Sequence, residues 1–293
     1  MAPDKLMSRT RLFVLIVLTM IAFAGNSLLC RLALRNTSID AASFTAIRLL
    51  SGAIALWLIV RVRDAARTDP AANVDGSNWL SAFALFAYAI AFSFAYISLS
   101  AGTGALLLFG AVQATMIGWG LYRGERFRPG QVAGLLLAFA GLVGLLLPGI
   151  SAPSLQGSVL MLGAGVAWGV YSLRGRGIGD ATRTTAGNFL RSIAFAAAVS
   201  VVAWPWSSLD HAGIHYAIAS GALTSGVGYA IWYTALKGLR ATHAATVQLS
   251  VPVIAAIGGV IFLDEHVTLR LLVAAVAILG GIALVVLGRQ AAN

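Results

Sequence analysis

The sequence predicts an all-α polytopic membrane protein, with ten transmembrane helices arranged as two inverted-topology five-helix repeats around a central cavity. Three observations carry this reading. Of the 293 residues, 59% are hydrophobic and only 10% charged, with a mean hydropathy of +0.87, whereas soluble domains carry about 25% charged residues. That leaves too little polar surface to face water, so lipid is the expected solvent. Apolar runs recur along the whole chain at the roughly 20 residues that a crossing α-helix needs. They are not the ~10-residue alternating strands of an outer-membrane barrel.

The third observation is an internal repeat. Phe92–Leu99, then Gly102-Thr103-Gly104-Ala105, opens a long apolar run that ends in Arg123-Gly124-Glu125. Tyr229–Leu236, then Ala241-Thr242-His243-Ala244, opens a run that ends in Leu263-Asp264-Glu265. Phe92, Tyr96, Leu99, Thr103 and Ala105 answer Tyr229, Tyr233, Leu236, Thr242 and Ala244 at an offset near 138. The expected repeats are residues 1–148 and 149–293.

In chain order the ten spans are Leu12–Leu32, Ser43–Val60, Trp79–Ser98, Thr103–Tyr122, Gln131–Leu147, Leu155–Leu173, Thr184–Ala203, Ile214–Leu236, Thr242–Leu263 and Leu269–Leu287. A polar loop from Asp69-Pro70 to Ser77 separates spans two and three, and Arg128-Pro129-Gly130 separates four and five. Pro148-Gly149 through Pro153 divides the halves, and Trp204-Pro205-Trp206 closes span seven with interfacial aromatics. The basic start followed by Leu12–Ala24 also has the look of a secretory leader. Span one has a counterpart in the second half, so its retention is expected.

Loop charge sets the orientation through the positive-inside rule. With a cytoplasmic N-terminus, fifteen of the twenty Lys and Arg residues fall on the cytoplasmic side and three (Arg31, Arg35, Arg270) outside, while Arg48 and Arg191 lie within spans. Both termini are then cytoplasmic, and a bacterial inner membrane is the expected location. The net charge of +10 follows from this bias and does not imply a nucleic-acid partner. An odd number of spans per half inserts the halves in opposite senses, a build that lets one half rock against the other around a midplane site.

Other pairs follow the repeat. Ala24-Gly25 in span one answers Trp168-Gly169 in span six, and Arg48 answers Arg191. With Glu125 and Glu265 after the fourth helix of each half, and Pro252 in span nine, these features resemble the ten-helix (EamA-type) drug/metabolite transporter superfamily. Span four departs from the pattern, with Gln113 near the place of the proline. Within the superfamily the chain looks most like YddG-type exporters of aromatic amino acids. The resemblance implies a basket of helices whose cavity is lined mainly by spans one, three, four, six, eight and nine.

Candidate substrate-binding residues come from aromatic and polar side chains on these spans. Tyr88, Phe92 and Tyr96 share one face of span three, Tyr229 and Tyr233 one face of span eight, and Trp168 and Tyr171 lie on span six. Tyr hydroxyls at membrane depth need partners, and a Tyr/Trp chamber suits a planar apolar substrate with a polar end. Asn26, Gln113, Ser172, Ser225 and Gln248 are the polar candidates, with interhelical bonding as their alternative role. Arg48 and Arg191 lie about 10 Å into their helices, where they could capture a carboxylate, or cap carbonyls and snorkel. Their symmetric occurrence assigns them, with Glu125 and Glu265, to structure or gating, where Pro252 is also placed. Glu125 and Glu265 would pair with Arg126 or Arg270, or cap the next helix. Gly134/Gly141/Gly144 and Gly258-Gly259/Gly280-Gly281 are expected helix contacts.

No carboxylate lies inside a span, whereas proton-coupled pumps usually place one there. Facilitated or weakly coupled export of small amphipathic metabolites is therefore expected, aromatic and neutral amino acids first. Organic cations or sugar derivatives on the same fold are the alternative. One cysteine and four unclustered histidines give no metal site, no cofactor is implied, and the absence of HExxH, GxSxG and P-loop motifs argues against an enzyme. The expected partners are a small-molecule substrate and the bilayer, and a monomer is compatible with this reading.

Overall fold

Helices end where their backbone groups find other partners, and small polar residues mark those places here. In a computed structural model that describes residues 8–65, 75–124, 126–177, 179–239 and 241–290, the helices are α1 (Arg9–Asn36), α2 (Ala41–Ala65), α3 (Trp79–Tyr96), α4 (Ala101–Tyr122), α5 (Pro129–Leu146), α6 (Leu155–Arg174) and α7 (Ala181–Ala203), followed by a short 3₁₀ turn Trp204–Trp206. Then come α8 (His211–Ile218), a π-helical segment Ala219–Val227, α9 (Gly228–Leu236), α10 (Ala241–Gln248), α11 (Ser250–Leu263) and α12 (Leu269–Gln290). Ser8, Asn78, Ser100, Ser154, Asp180 and Asp210 each accept a backbone N–H of the turn they open. Among the described residues eight helices are long and apolar enough to cross a membrane, and α6 and the α8–π–α9 rod occupy the places of the two remaining expected spans. Phe13, Val14, Leu18, Ile21, Leu136, Phe139, Val273 and Val276 point outward from α1, α5 and α12, the belt that lipid covers.

Two spans are less regular than the sequence suggests. Span eight widens to a π-helix where it crosses α2. A Cβ at Gly221 would stand 2.1 Å from the Arg48 carbonyl oxygen, and one at Gly52 would stand 3.1 Å from the Gly221 carbonyl oxygen. The backbones therefore meet directly, and only glycine permits it. Span nine breaks at Leu249, between α10 and α11. Pro252 follows three residues later and has no N–H for the Gln248 carbonyl.

The largest packing surfaces join the two halves of the chain: α2 on α7 and the π segment, α5 on α12, α4 on α11, α3 on α6 and α7, α4 on α6, and α1 on the π segment, α9 and α11. Exchanging each span for the one five places on maps this set onto itself. The α5–α12 seam is a glycine contact, with Gly134 and Gly281 each against the other's carbonyl oxygen and Gly141 on Ala277 and Ile278. Gly144 and Gly280 meet nothing, so only part of the expected glycine pattern makes contact.

The face of the bundle where α1 begins is called here the near face, and the opposite one the far face. On the far face, loops 37–40 and 207–210 clasp each other: Asp40 accepts the Ser208 N–H at 2.9 Å and Asp210 the Ser38 N–H at 2.8 Å. On the near face Arg63 pairs with Asp180, and Arg183 with Asp64, tying α2 to α7. Burial opposes ionisation of Asp180, but the hydrogen bonds from Arg63 and the Arg183 N–H outweigh it and hold the carboxyl below the usual carboxylate range.

Candidate substrate cavity

A cavity of about 670 Å³ runs from mid-depth to the near face. Its deep end is formed by Phe23, Asn26 and Ser27 of α1 with Tyr88 and Phe92 of α3. Its wall is Val112, Gln113 and Met116 of α4, Trp168, Tyr171 and Ser172 of α6, and Thr224, Tyr229, Trp232 and Tyr233 of span eight. Thr184, Thr185 and Asn188 of α7, Ala244, Ala245 and Gln248 of α10, and Val285 and Val286 of α12 complete it toward the mouth. No described lining residue is a carboxylate, and Arg176 at the mouth is the one described lining residue with a charge.

The aromatics form a continuous chain. Trp168 stacks on Tyr229 at 5.2 Å and 18°, stacks on Tyr171 at 5.2 Å, and approaches Tyr88 at 4.9 Å. Phe23 leans on Tyr229 at 5.7 Å and on Trp232 at 5.9 Å. Two polar poles lie at the ends of this belt. Near the mouth, the Thr185 hydroxyl lies 3.1 Å from the Tyr171 hydroxyl and 2.8 Å from that of Tyr233. At the deep end, the Tyr88 hydroxyl accepts from Asn26 Nδ2 at 3.2 Å and from Arg48 Nη2 at 2.9 Å, and Asn26 Oδ1 accepts from Ser220 at 2.7 Å. The π segment is what carries Ser220 and Thr224 to Asn26.

Beyond the deep end the far face is sealed. Arg31 pairs with Glu265 at 3.1 Å and donates to the carbonyls of Tyr96 and Ile97 at 2.9 Å. Glu265 also accepts the Ala101 N–H at 2.8 Å, capping α4, and Arg35 donates to the Leu263 carbonyl. Asp264, in the left-handed region at φ 50°, makes the turn that directs Glu265 back onto α4. The Tyr96 ring is wholly buried and lies where a Cβ on Gly104 would stand 2.4 Å away.

Of the residues singled out from sequence, Asn26, Tyr88, Phe92, Gln113, Trp168, Tyr171, Ser172, Tyr229, Tyr233 and Gln248 line this cavity. Tyr96 and Ser225 do not. Tyr96 is locked into the far seal, its hydroxyl 3.3 Å from the Ala101 carbonyl, and Ser225 faces the packed side of the π segment with its hydroxyl unpartnered. Glu265 caps α4 rather than the helix that follows it, and its ion-pair partner is Arg31 rather than Arg270, which donates to the Leu147 carbonyl. Glu125 lies outside the described residues. Arg48 and Arg191 are not equivalent: Arg191 holds Ser77 and the Gly187 carbonyl near the near face, while Arg48 neither caps a carbonyl nor snorkels. Sequence reasoning did not pick Phe23, Thr185, Asn188, Thr224 or Trp232 as lining residues or Arg31 as the cation of the far seal, and it left α7 and α12 outside the lining helices. The signal for Thr185 and Asn188 was present, since both are polar at membrane depth on one face of α7.

A helical membrane protein with one sealed face, one open face and an amphipathic chamber between them has the construction of a small-molecule transporter. The chain belongs to the EamA-like transporter family, whose pattern matches residues 11–147 and again residues 155–287. It is 55% identical to an uncharacterized protein of Pseudomonas aeruginosa over 99% of this chain and 98% of that one. It is 28% identical to an uncharacterized transporter of Archaeoglobus fulgidus over 88% and 90% of the two chains. The threonine/homoserine exporter RhtA of Salmonella typhimurium is 34% identical over 150 residues, 48% of this chain and 49% of that one. A crystal structure of a protein 20% identical in sequence superposes over 98% of this chain and all of the other with a TM-score of 0.67, a likeness of fold.

Proposed function

We propose that the protein exports small amphipathic metabolites, above all neutral and aromatic amino acids, across a bacterial inner membrane. It does so by alternating access of the chamber between the two faces. The observation that supports this most is the chamber itself: an aromatic belt with a polar pole at each end and no described carboxylate in its lining. Such a lining favours a flat apolar body over an organic cation, whose charge no acidic group would meet. The charge count makes the near face cytoplasmic, so the cavity is open inward here. In this reading the two halves are inverted repeats, supported by the exchange pattern of helix packing and by the two successive family matches. A described lining without a carboxylate also favours facilitated or weakly coupled movement over proton-driven pumping.

A second substrate reading, small hydroxylated amino acids, is favoured by the similarity to RhtA, a threonine/homoserine exporter. Counterflow into proteoliposomes with labelled phenylalanine, threonine, a nucleotide sugar and a quaternary amine separates the readings. Uptake of phenylalanine supports the first and of threonine the second. Uptake of the quaternary amine alone contradicts both.

A further inference from the structure

Arg48 is 2% exposed and at the core of the bundle, one side chain behind the deep end of the cavity. Its guanidinium lies over the rings of Phe92 and Tyr88, 4.8 and 5.3 Å from their centroids. Among the described residues no carboxylate pairs with it, and only Nη2 has a hydrogen-bond partner; Nε and Nη1 are buried without one. A buried cation without a counter-charge is costly, and structural symmetry does not account for it, because Arg191 sits elsewhere and is satisfied differently. Phe92 answers Tyr229 in the repeat, so Tyr88, four residues earlier, answers Ser225. Only one half has a Tyr for its Arg to hold, as suits a chamber that holds one head group at a time.

The hydrogen-bond directions at Tyr88 specify what that head group is. The hydroxyl oxygen accepts from Arg48 and from Asn26, whose amide is oriented by the Ser220 hydroxyl on Oδ1. Both lone pairs are thus occupied by donors, one of them charged, and the O–H proton has no described acceptor. Tyr88 lines the cavity, so its hydroxyl is a polarised donor at the chamber's deep end with a full positive charge behind it. We propose that this end of the cavity is a carboxylate site: Tyr88 donates to the substrate carboxylate, and Arg48 supplies the counter-charge and fixes the hydroxyl without touching the substrate. The substrate body then lies along the Trp168–Tyr229 stack toward the mouth. This rests on the transport reading above and narrows it to substrates that carry a carboxylate.

The test is competition counterflow in proteoliposomes of the full chain, with labelled phenylalanine, its carboxamide and 3-phenylpropionate. Wild type is expected to take both carboxylates with a half-saturation about tenfold or more below that of the carboxamide, the scale of one charge-assisted hydrogen bond. Tyr88→Phe removes that discrimination, raising the half-saturation for both carboxylates toward that of the carboxamide. Arg48→Lys keeps part of it and Arg48→Gln none. The wild-type comparison stands even where an Arg48 variant fails to insert. Equal use of carboxylate and carboxamide by wild type, unchanged discrimination in Tyr88→Phe, or no carboxylate uptake at all overturns the proposal. Phenylpropionate uptake that depends on Tyr88, without phenylalanine uptake, retains the site and removes the amino-acid reading. Phenylalanine uptake without discrimination against the carboxamide does the reverse.

Discussion

Arg31 stands at the far end of α1, and Arg174 at the near end of α6, the helix that answers α1 in the proposed repeat. Arg31 ties three elements together through Glu265 and the Tyr96 and Ile97 carbonyls. Among the described residues Arg174 donates to Ser81 and Asn78 alone, at the start of α3. Likewise Tyr96 is buried in the far seal while its counterpart Tyr233 borders the open cavity. Equivalent side chains thus occupy two environments in one structure, which is what a carrier caught open to one side would show. Exchanging those environments between the halves would close the near face around Tyr233 and return Tyr96 to the cavity wall. The match between the two ends is incomplete in one respect. Gly104, whose missing side chain admits the Tyr96 ring, is answered by His243. A near-face seal built the same way has less room.

The largest expected effect comes from breaking the far seal. Glu265→Gln leaves Arg31 without its charge partner at a site where both side chains are nearly covered (13% and 9% exposed). Removing one partner of a buried pair costs about 3 kcal/mol or more, on the order of a hundredfold in population. Cys30, buried beside Arg31 on α1 and the chain's single cysteine, reports it. Reaction with an impermeant maleimide from the far side should be slow in wild type and about 100-fold faster in the variant, on that same scale. Gly104→Ala should act in the same direction but less strongly. The new methyl displaces the Tyr96 ring at a cost of about 1–3 kcal/mol, read as a smaller gain in Cys30 labelling. His243→Gly tests the converse. Relieving the near end should slow labelling of a cysteine at Ala245 from the near face severalfold, and no change would mean the Gly104–His243 difference is unimportant.

The smallest effect belongs to the near-face clasp. Asp180 is depressed below its ordinary value of 3.8, so its stabilising pairing is complete above that value and is lost only as pH falls through the lower, folded-state value. The unfolding midpoint of detergent-solubilised Asp180→Asn should therefore sit below wild type by a constant margin from pH 7 to pH 5. The two should converge only below about 3.8. Convergence near neutral pH would show that another group holds α2 to α7.

Most of this architecture was legible because lipid enforces it: a backbone in hydrocarbon must be helical, and loops must carry the charge. The aromatic faces of α3 and span eight followed from spacing alone, as did the polar candidates Asn26 and Gln113. Three features were not legible. Tyr96 and Tyr233 have the same sequence signature, yet Tyr233 lines the cavity and Tyr96 does not, a difference set by distant contacts that neither neighbourhood records. The Arg31–Glu265 pair joins residues 234 apart, and nothing in either neighbourhood marks the partner. The inequality of Arg48 and Arg191 depends on what each guanidinium reaches, Tyr88 in one case and a loop serine in the other, although their helices and depths look alike.

The central claim is that one chamber is served from two faces in turn, and side-specific labelling of a cavity cysteine tests it most directly. In a Cys30→Ala background, Ala245→Cys should react rapidly with an impermeant maleimide applied to the near face and slowly from the far face. Saturating transported substrate should protect it. Rapid labelling from both faces at once, unaffected by substrate, would describe an open pore and contradict the account.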